Sequence, residues 1–402
     1  MSDLFWAGDE RAGELLTEQA WLAAMVRVEQ AWLDAIAARR IAPGSVALTG
    51  LVGPADIDGI ARGAESTGTP VLPLVTLLRE RADAAAARWI HRGLTSQDVV
   101  DTGLMLCLRA VVERLRAELR AQIEAMTGLI ALHRHTVMAG RTLTQYAVPI
   151  TFGLKVSGWL TGVLDAADAV DRVRLPAQVG GAAGTRSAIA DLAGGAAEAA
   201  ELIIAATRLL GLEQALPWHT ARAAVTALGD AMVRCTDAWG HIATDVLTLS
   251  RPEIAELAEP DAPGRGGSST MPGKRNPVLS VLIRRAAIAA PPLASTLHLA
   301  ASLAGDERSD GAWHTEWASL RTLGRRTVVA AAQTTELLTG LRVDTDRMSA
   351  TAAGSWSTLT AEQRSIAAFT GADAPQDDYL GSTQTVIDDV LARAAALLDS
   401  TR

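Results

Sequence analysis

Two cysteines in 402 residues exclude a disulfide-built scaffold, and neither Cys107 nor Cys235 has a partner at a redox or zinc spacing. Both sit inside helical patterns and read as buried thiols. The seven histidines form no metal pattern; the nearest pair, His133 and His135, are two apart and diverge on a helix. No metal site is therefore expected. Aromatics are scarce at 4%. No run of alternating β-branched residues is long enough to propose a sheet. No 20–50-residue repeat emerges, and no glycine-rich dinucleotide fingerprint is present. The start, MSDLFWAGDERAGELL, lacks the basic and apolar regions of a signal peptide. Residues 286–305 carry no charge, but Ala, Ser, Thr, His298 and Pro291–Pro292 weaken any membrane reading; a buried helix kinked or restarted at the prolines is expected. The expected setting is cytoplasmic. A net charge of -8 argues against nucleic acid as a partner, so an anionic substrate would need a local cluster of cations.

What is present is helix. Leu22, Met25, Val26, Leu33 and Ile36 share one face over 20–39. Leu104, Leu108, Val111, Leu115, Leu119, Ile123, Met126 and Ile130 recur every three or four residues, while Arg109, Glu113, Arg116, Glu118 and Arg120 face elsewhere. This length suggests a bundle with a coiled-coil-like seam, its helix starting near Asp101. Further helices are predicted at about 150–174, 187–211, 221–250, 277–304 and 314–340. The fold class is all-α: an N-terminal helical domain (1–98), a central long-helix bundle (99–340) and a short C-terminal helical domain (341–402). Such a bundle would bury its apolar surface against copies of itself.

Three polar clusters interrupt this pattern. In HRGLTSQDVVDTG (91–103), Thr95, Ser96 and Asp98 are N-cap residues; they either cap a helix or present its N-terminus to a carboxylate. In AGRTLTQYAVPITFG (139–153), Arg141, Thr142, Thr144 and Gln145 form a polar knot or a solvated turn. In GRGGSSTMPGKRNP (264–277), glycines give mobility, and Asn276–Pro277 reads as N-cap and first helical residue. Lys274, Arg275 and that helix N-terminus would concentrate positive charge around Ser268 and Ser269, as in a lid closing on an anion.

GGSSTMPGKRNP closely resembles the signature of the fumarase/aspartase superfamily, and the two earlier clusters resemble its TSxD-type and GRTHxQ-type regions in the expected order. ALPWHTAR (215–222), EIAELAEPDAPGRGGSSTMP (253–272) and DERSDGAWHTEW (306–317) look most like the 3-carboxy-cis,cis-muconate cycloisomerase subgroup of protocatechuate breakdown. Two departures stand out. Leu143 replaces the histidine that adenylosuccinate, argininosuccinate and fumarate enzymes generally keep, and Gly273 replaces a residue usually His in this subgroup.

The resemblance implies a cofactor-independent three-domain lyase fold, a small tricarboxylate substrate, and a homotetramer whose sites combine residues of several subunits. It assigns proton transfer to Ser268, with Ser269 as the fallback and Lys274 and Asn276 stabilising the enediolate-like intermediate. Substrate contacts are expected from His91, Thr95, Ser96, Gln97, Asp98, Arg141, Thr142, Gln145, Met271 and Asn276. With Leu143 unable to titrate, a second acid–base group would come from His219 or His91. His314 reads as packing. The rival functions are an adenylosuccinate lyase-like C–N lyase and a noncatalytic paralogue, since the fold is reused as a lens protein.

Overall fold

The computed structural model describes residues 3–371 and 379–400. It is mostly helical. Helices α1 (Glu18–Ala38), α2 (Ile57–Thr67), α3 (Val71–Arg81) and the short α4 (Ala84–Ala87) precede α5, Ser96–His133. A hairpin of β1 (Val137–Thr142) and β2 (Gln145–Thr151) leads into α6, Phe152–Asp171. Then come α7 (Ser187–Ala193), α8 (Ala196–Leu210), α9 (Ala223–Leu249), β3 (Leu257–Ala258) and α10 (Val278–Ser302). The chain closes with α11 (Ala312–Thr339), β4 (Arg342–Val343), α12 (Thr345–Gly354), α13 (Trp356–Leu359), α14 (Ala361–Thr370) and α15 (Thr383–Ser400).

Two compact units are built from non-contiguous segments. The first comprises 1–114, 172–231 and 291–328; the second comprises 115–171, 232–290 and 329–402. In the first, α1 packs on α8, α7 on α8, and α2 on α3. In the second, α6 packs on α15, and the hairpin packs on α12 and α13.

The eight apolar positions predicted along α5 are all buried, none more than 4% exposed. Regular 3.6-residue spacing therefore carried that helix, although it begins at Ser96, one turn before the expected Asp101. Thr17 caps α1 by accepting a bond from the Ala20 amide. The stretch predicted as one helix over 187–211 is two, because Gly194 and Gly195 hold φ of 92° and 157°, outside helical space. The helix expected to kink or restart at Pro291–Pro292 is continuous across both.

The strands correct the expectation that no sheet forms. β1 and β2 pair antiparallel, with a bulge between Ala139 and Arg141. Their two-residue loop is Leu143–Thr144, at φ 49° and 73°. Such loops normally read Asn-Gly or Asp-Gly, since both central residues need positive φ, so the sequence carried no hairpin signal. A second two-stranded sheet pairs β3 with β4.

Candidate active site

In the first unit, Thr95 stands just before α5, and its amide donates to Asp98 Oδ2 at 3.0 Å, the reciprocal arm of a capping box. Asp98 is fully buried. It also accepts the Gly180 amide at 2.8 Å and the Gly181 amide at 3.0 Å, and lies 3.3 Å from His219 Nε2. Four donors thus compensate its burial. Gln97, equally buried, donates to Asp101 Oδ2 at 3.2 Å and to the His219 carbonyl at 2.9 Å. Both side chains were expected to meet substrate; in this structure they hold the loops instead. The Ser96 side chain makes no such bond among the described residues. The Ser96 amide, at the first turn, has no hydrogen-bond partner among the described residues and is the group a carboxylate would meet there, since Gln97 is buried.

His219 is 4% exposed. A side chain at Gly180 would place its Cβ 2.4 Å from His219 Cε1, so the ring fits only against glycine. With Nε2 toward Asp98, Nδ1 has no hydrogen-bond partner among the described residues. The segment carrying His219 is pinned by Arg222, which bridges two buried carboxylates, Asp101 (2.8 and 3.1 Å) and Glu316 (3.0 and 3.2 Å), and stacks on Trp218. Burial pushes the Glu316 carboxyl above its ordinary pKa, although Arg222 pulls the other way.

His91 takes the left-handed conformation, φ 64°, and its Nδ1 lies 2.6 Å from Glu29 Oε1. Burial opposes charge on this ring, but Glu29, through its charge and its hydrogen bond, and then Asp98 outweigh it; the pKa is raised. Sequence reasoning missed Glu29, which lies on the apolar face of α1 with nothing local to mark it. It also missed Arg308, whose Nη2 donates to Thr95 Oγ1 at 2.6 Å and to the Ala182 carbonyl at 3.1 Å. The signal was available there, because Arg308 lies in the DERSDG stretch already singled out. His314 packs as expected, its ring against Trp313 and Trp317 and its Nε2 on the Gly68 carbonyl.

In the second unit, Arg141 forms a two-bond pair with buried Glu256 at 2.9 and 3.1 Å. Expected to bind a substrate carboxylate, it is taken up by a protein one and ties β1 to the segment before β3. Thr142 and Gln145 are exposed at the hairpin tip beside Leu143, which is 95% exposed.

The loop 264–277 belongs to the same unit. Ser268 Oγ accepts the Thr270 amide at 3.3 Å and the Met271 amide at 3.1 Å; such donors favour a charged oxygen over a neutral hydroxyl. Ser269 and Met271 are exposed, as is Lys274, whose ammonium has no partner among the described residues. Asn276 does not cap α10. Its Nδ2 and its amide both donate to the Gly266 carbonyl, at 3.0 and 2.8 Å, closing the loop at its base. The cap is Glu259, whose carboxylate accepts the Leu279 amide at 3.0 Å and the Ser280 amide at 2.6 Å. The positive end of α10 is therefore met by a carboxylate, and the loop's cationic character rests on Lys274 and Arg275. A cavity of about 160 Å³ at this base is lined by Glu259, Arg265, Arg275, Asn276 and Arg342. A larger one, about 820 Å³, lies in the first unit among Trp6, Trp21, His314, Trp317 and Arg326, and none of the candidate residues lines it.

Long helices carrying a capped polar start, a polar hairpin and a serine–lysine loop define the class. The chain belongs to the fumarase/aspartase superfamily of lyases: the family model described as "Lyase" matches residues 59–290. Among its relatives, a nitrosuccinate lyase of Streptomyces davaonensis is 44% identical over 348 residues, 83% of this chain and 73% of that protein. The 3-carboxy-cis,cis-muconate cycloisomerase of Bradyrhizobium diazoefficiens is 40% identical over 304 residues, 73% of this chain and 65% of that protein. The solved 3-carboxy-cis,cis-muconate lactonizing enzyme of Pseudomonas putida superposes with a TM-score of 0.80 at 27% identity, covering 96% of this chain and 97% of that one.

Proposed function

We propose that the protein is a cycloisomerase interconverting 3-carboxy-cis,cis-muconate and 4-carboxymuconolactone, in the breakdown of protocatechuate. The observation that carries this reading is Leu143. A C–N lyase that expels an amine needs an acid to protonate it, and the hairpin tip offers a hydrocarbon. A carboxylate is a weakly basic leaving group and needs no such acid. In the lactone-opening direction, Ser268 removes the proton α to a carboxylate, and the lactone oxygen leaves as carboxylate. Charge passes onto an enediolate-like intermediate, where Lys274 supplies the compensating cation. The amides of Thr270 and Met271 support the Ser268 alkoxide. The first turn of α5, at the Ser96 amide, holds a substrate carboxylate, and His91 a second. His219, with Nδ1 available and Asp98 against Nε2, serves as a base that takes on the abstracted proton and not as an acid toward the leaving carboxylate. No hydride or electron changes hands, so the chemistry calls for no redox carrier.

The assembly we propose is a cytoplasmic homotetramer with shared active sites. In support, α10 leaves Val281, Ile288 and Leu299 between 52% and 69% exposed, an apolar stripe suited to another helix of the same kind.

One observation favours a second reading. The 44% identity to a nitrosuccinate lyase is accompanied by the same chemical logic, because nitrite, like carboxylate, leaves without a proton. Purified protein should deplete the ultraviolet absorbance of 3-carboxymuconate. Turnover of nitrosuccinate with none of carboxymuconate would replace the first reading by the second.

A further inference from the structure

Glu29 is a buried carboxylate that the mechanism above does not use. It lies on α1, has no solvent exposure, and its Oε2 has no hydrogen-bond partner among the described residues. Its other oxygen meets His91 Nδ1 at 2.6 Å. The His91 backbone is lashed on both sides: Arg79 Nη2 donates to the Ile90 carbonyl at 2.7 Å, and Trp32 Nε1 to the Arg92 carbonyl at 2.7 Å. These bonds hold His91 at its left-handed φ and leave little freedom in where the ring stands. Nε2 bonds nothing among the described residues, and the side chain keeps 18% exposure.

We propose that Glu29 is a positioning residue that keeps His91 as an imidazolium, with Nδ1–H held inside and Nε2–H offered outward to a carboxylate of the substrate. The charged groups facing the ring are Glu29 from α1, Asp98 from α5 and Arg79 from α3. The two carboxylates favour the cation and Arg79 opposes it, and the balance raises the pKa, the direction the assignment requires. A free histidine near its ordinary pKa would be mostly neutral at pH 7.5 and would offer a lone pair at Nε2; Glu29 converts that acceptor into a donor. The inference deepens the reading of the protein as an enzyme for polycarboxylates and rests on it.

The test begins with the unaltered protein, so that it does not depend on a variant folding. Histidine-labelled protein is titrated by NMR, with the His91 resonance assigned by its loss in His91→Gln. The expected midpoint lies above that of a blocked histidine peptide. In Glu29→Gln, which keeps an acceptor for Nδ1 but removes the charge, the midpoint falls by about one pH unit, a tenfold change in the proton equilibrium. Affinity for tricarballylate, a non-reacting tricarboxylate, falls several-fold at pH 7.5 and recovers toward the parent value at pH 6. In turnover, KM rises more than kcat falls. A His91 midpoint at or below that of the blocked histidine peptide, or a Glu29→Gln variant with unchanged midpoint and unchanged tricarballylate affinity, overturns the proposal. Neither arm needs turnover, so a protein inactive on carboxymuconate that behaves as expected in both leaves this inference standing and removes the cycloisomerase reading alone.

Discussion

Replacing Arg222 by methionine tests whether the buried charge cluster behind His219 holds this unit together. Arg222 is 4% exposed, and its guanidinium satisfies Asp101 and Glu316 at once. In Arg222→Met, Asp101 keeps the Gln97 amide at 3.2 Å and the Trp313 Nε1–H at 2.9 Å. Glu316 fares worse, because its described hydrogen bonds all run to Arg222. Removing one partner of a buried ion pair costs about 3–5 kcal/mol, and the loss should fall near the upper half of that range at pH 8 because two acids are stripped. The sign with pH follows from Glu316. Burial already raises its pKa, and loss of Arg222 raises it further. A carboxyl whose folded pKa exceeds its unfolded value carries no penalty when it is protonated in both states, and a growing one as pH climbs from the unfolded value to the folded one. The destabilisation should therefore shrink at pH 5 and be full at pH 8. Urea unfolding at fixed protein concentration measures it, since an oligomer's apparent stability depends on concentration. The double variant Arg222→Met/Glu316→Leu should recover part of the loss by removing the orphaned acid. A single variant within about 1 kcal/mol of the parent at pH 8, or one hurt more at pH 5, would refute the reasoning.

Further outcomes are expected elsewhere. Ser268→Ala should fold and bind tricarballylate but lose about 10²–10⁴-fold in kcat on carboxymuconate; near-normal turnover moves the proton transfer to another group. Glu259→Ala removes the cap of α10 and should cost about 0.5–2 kcal/mol, with faster amide exchange at Leu279 and Ser280 as the readout. Leu143→Asn places a residue tolerant of positive φ at the hairpin tip and should stabilise the protein by about 0.5–1 kcal/mol, seen as a higher denaturation midpoint. Cys107 and Cys235, whose thiols burial pushes up to about 12, should resist an aromatic disulfide reagent until the protein is unfolded.

Local patterning in the sequence determined the helices. The apolar period along α5, the faces of α1 and the limits of α9, α10 and α11 came through because a helix buries one stripe and repeats it every 3.6 residues. The chemical residue types were also legible, since serine, lysine and N-cap residues stand out in an Ala/Leu-rich chain. Tertiary structure alone decided which of those residues remain available. Asp98 and Gln97 are consumed in joining α5 to the 180 and 219 loops, and Arg141 is consumed by Glu256. The α10 terminus, which reads as a free positive end, is held by Glu259, some 20 residues earlier in the chain. Glu29 meets His91 across 62 residues of sequence. Propensity and spacing act over a few residues, whereas the partner of a buried charge is set by which segments the packed core brings together, and no local pattern encodes that choice.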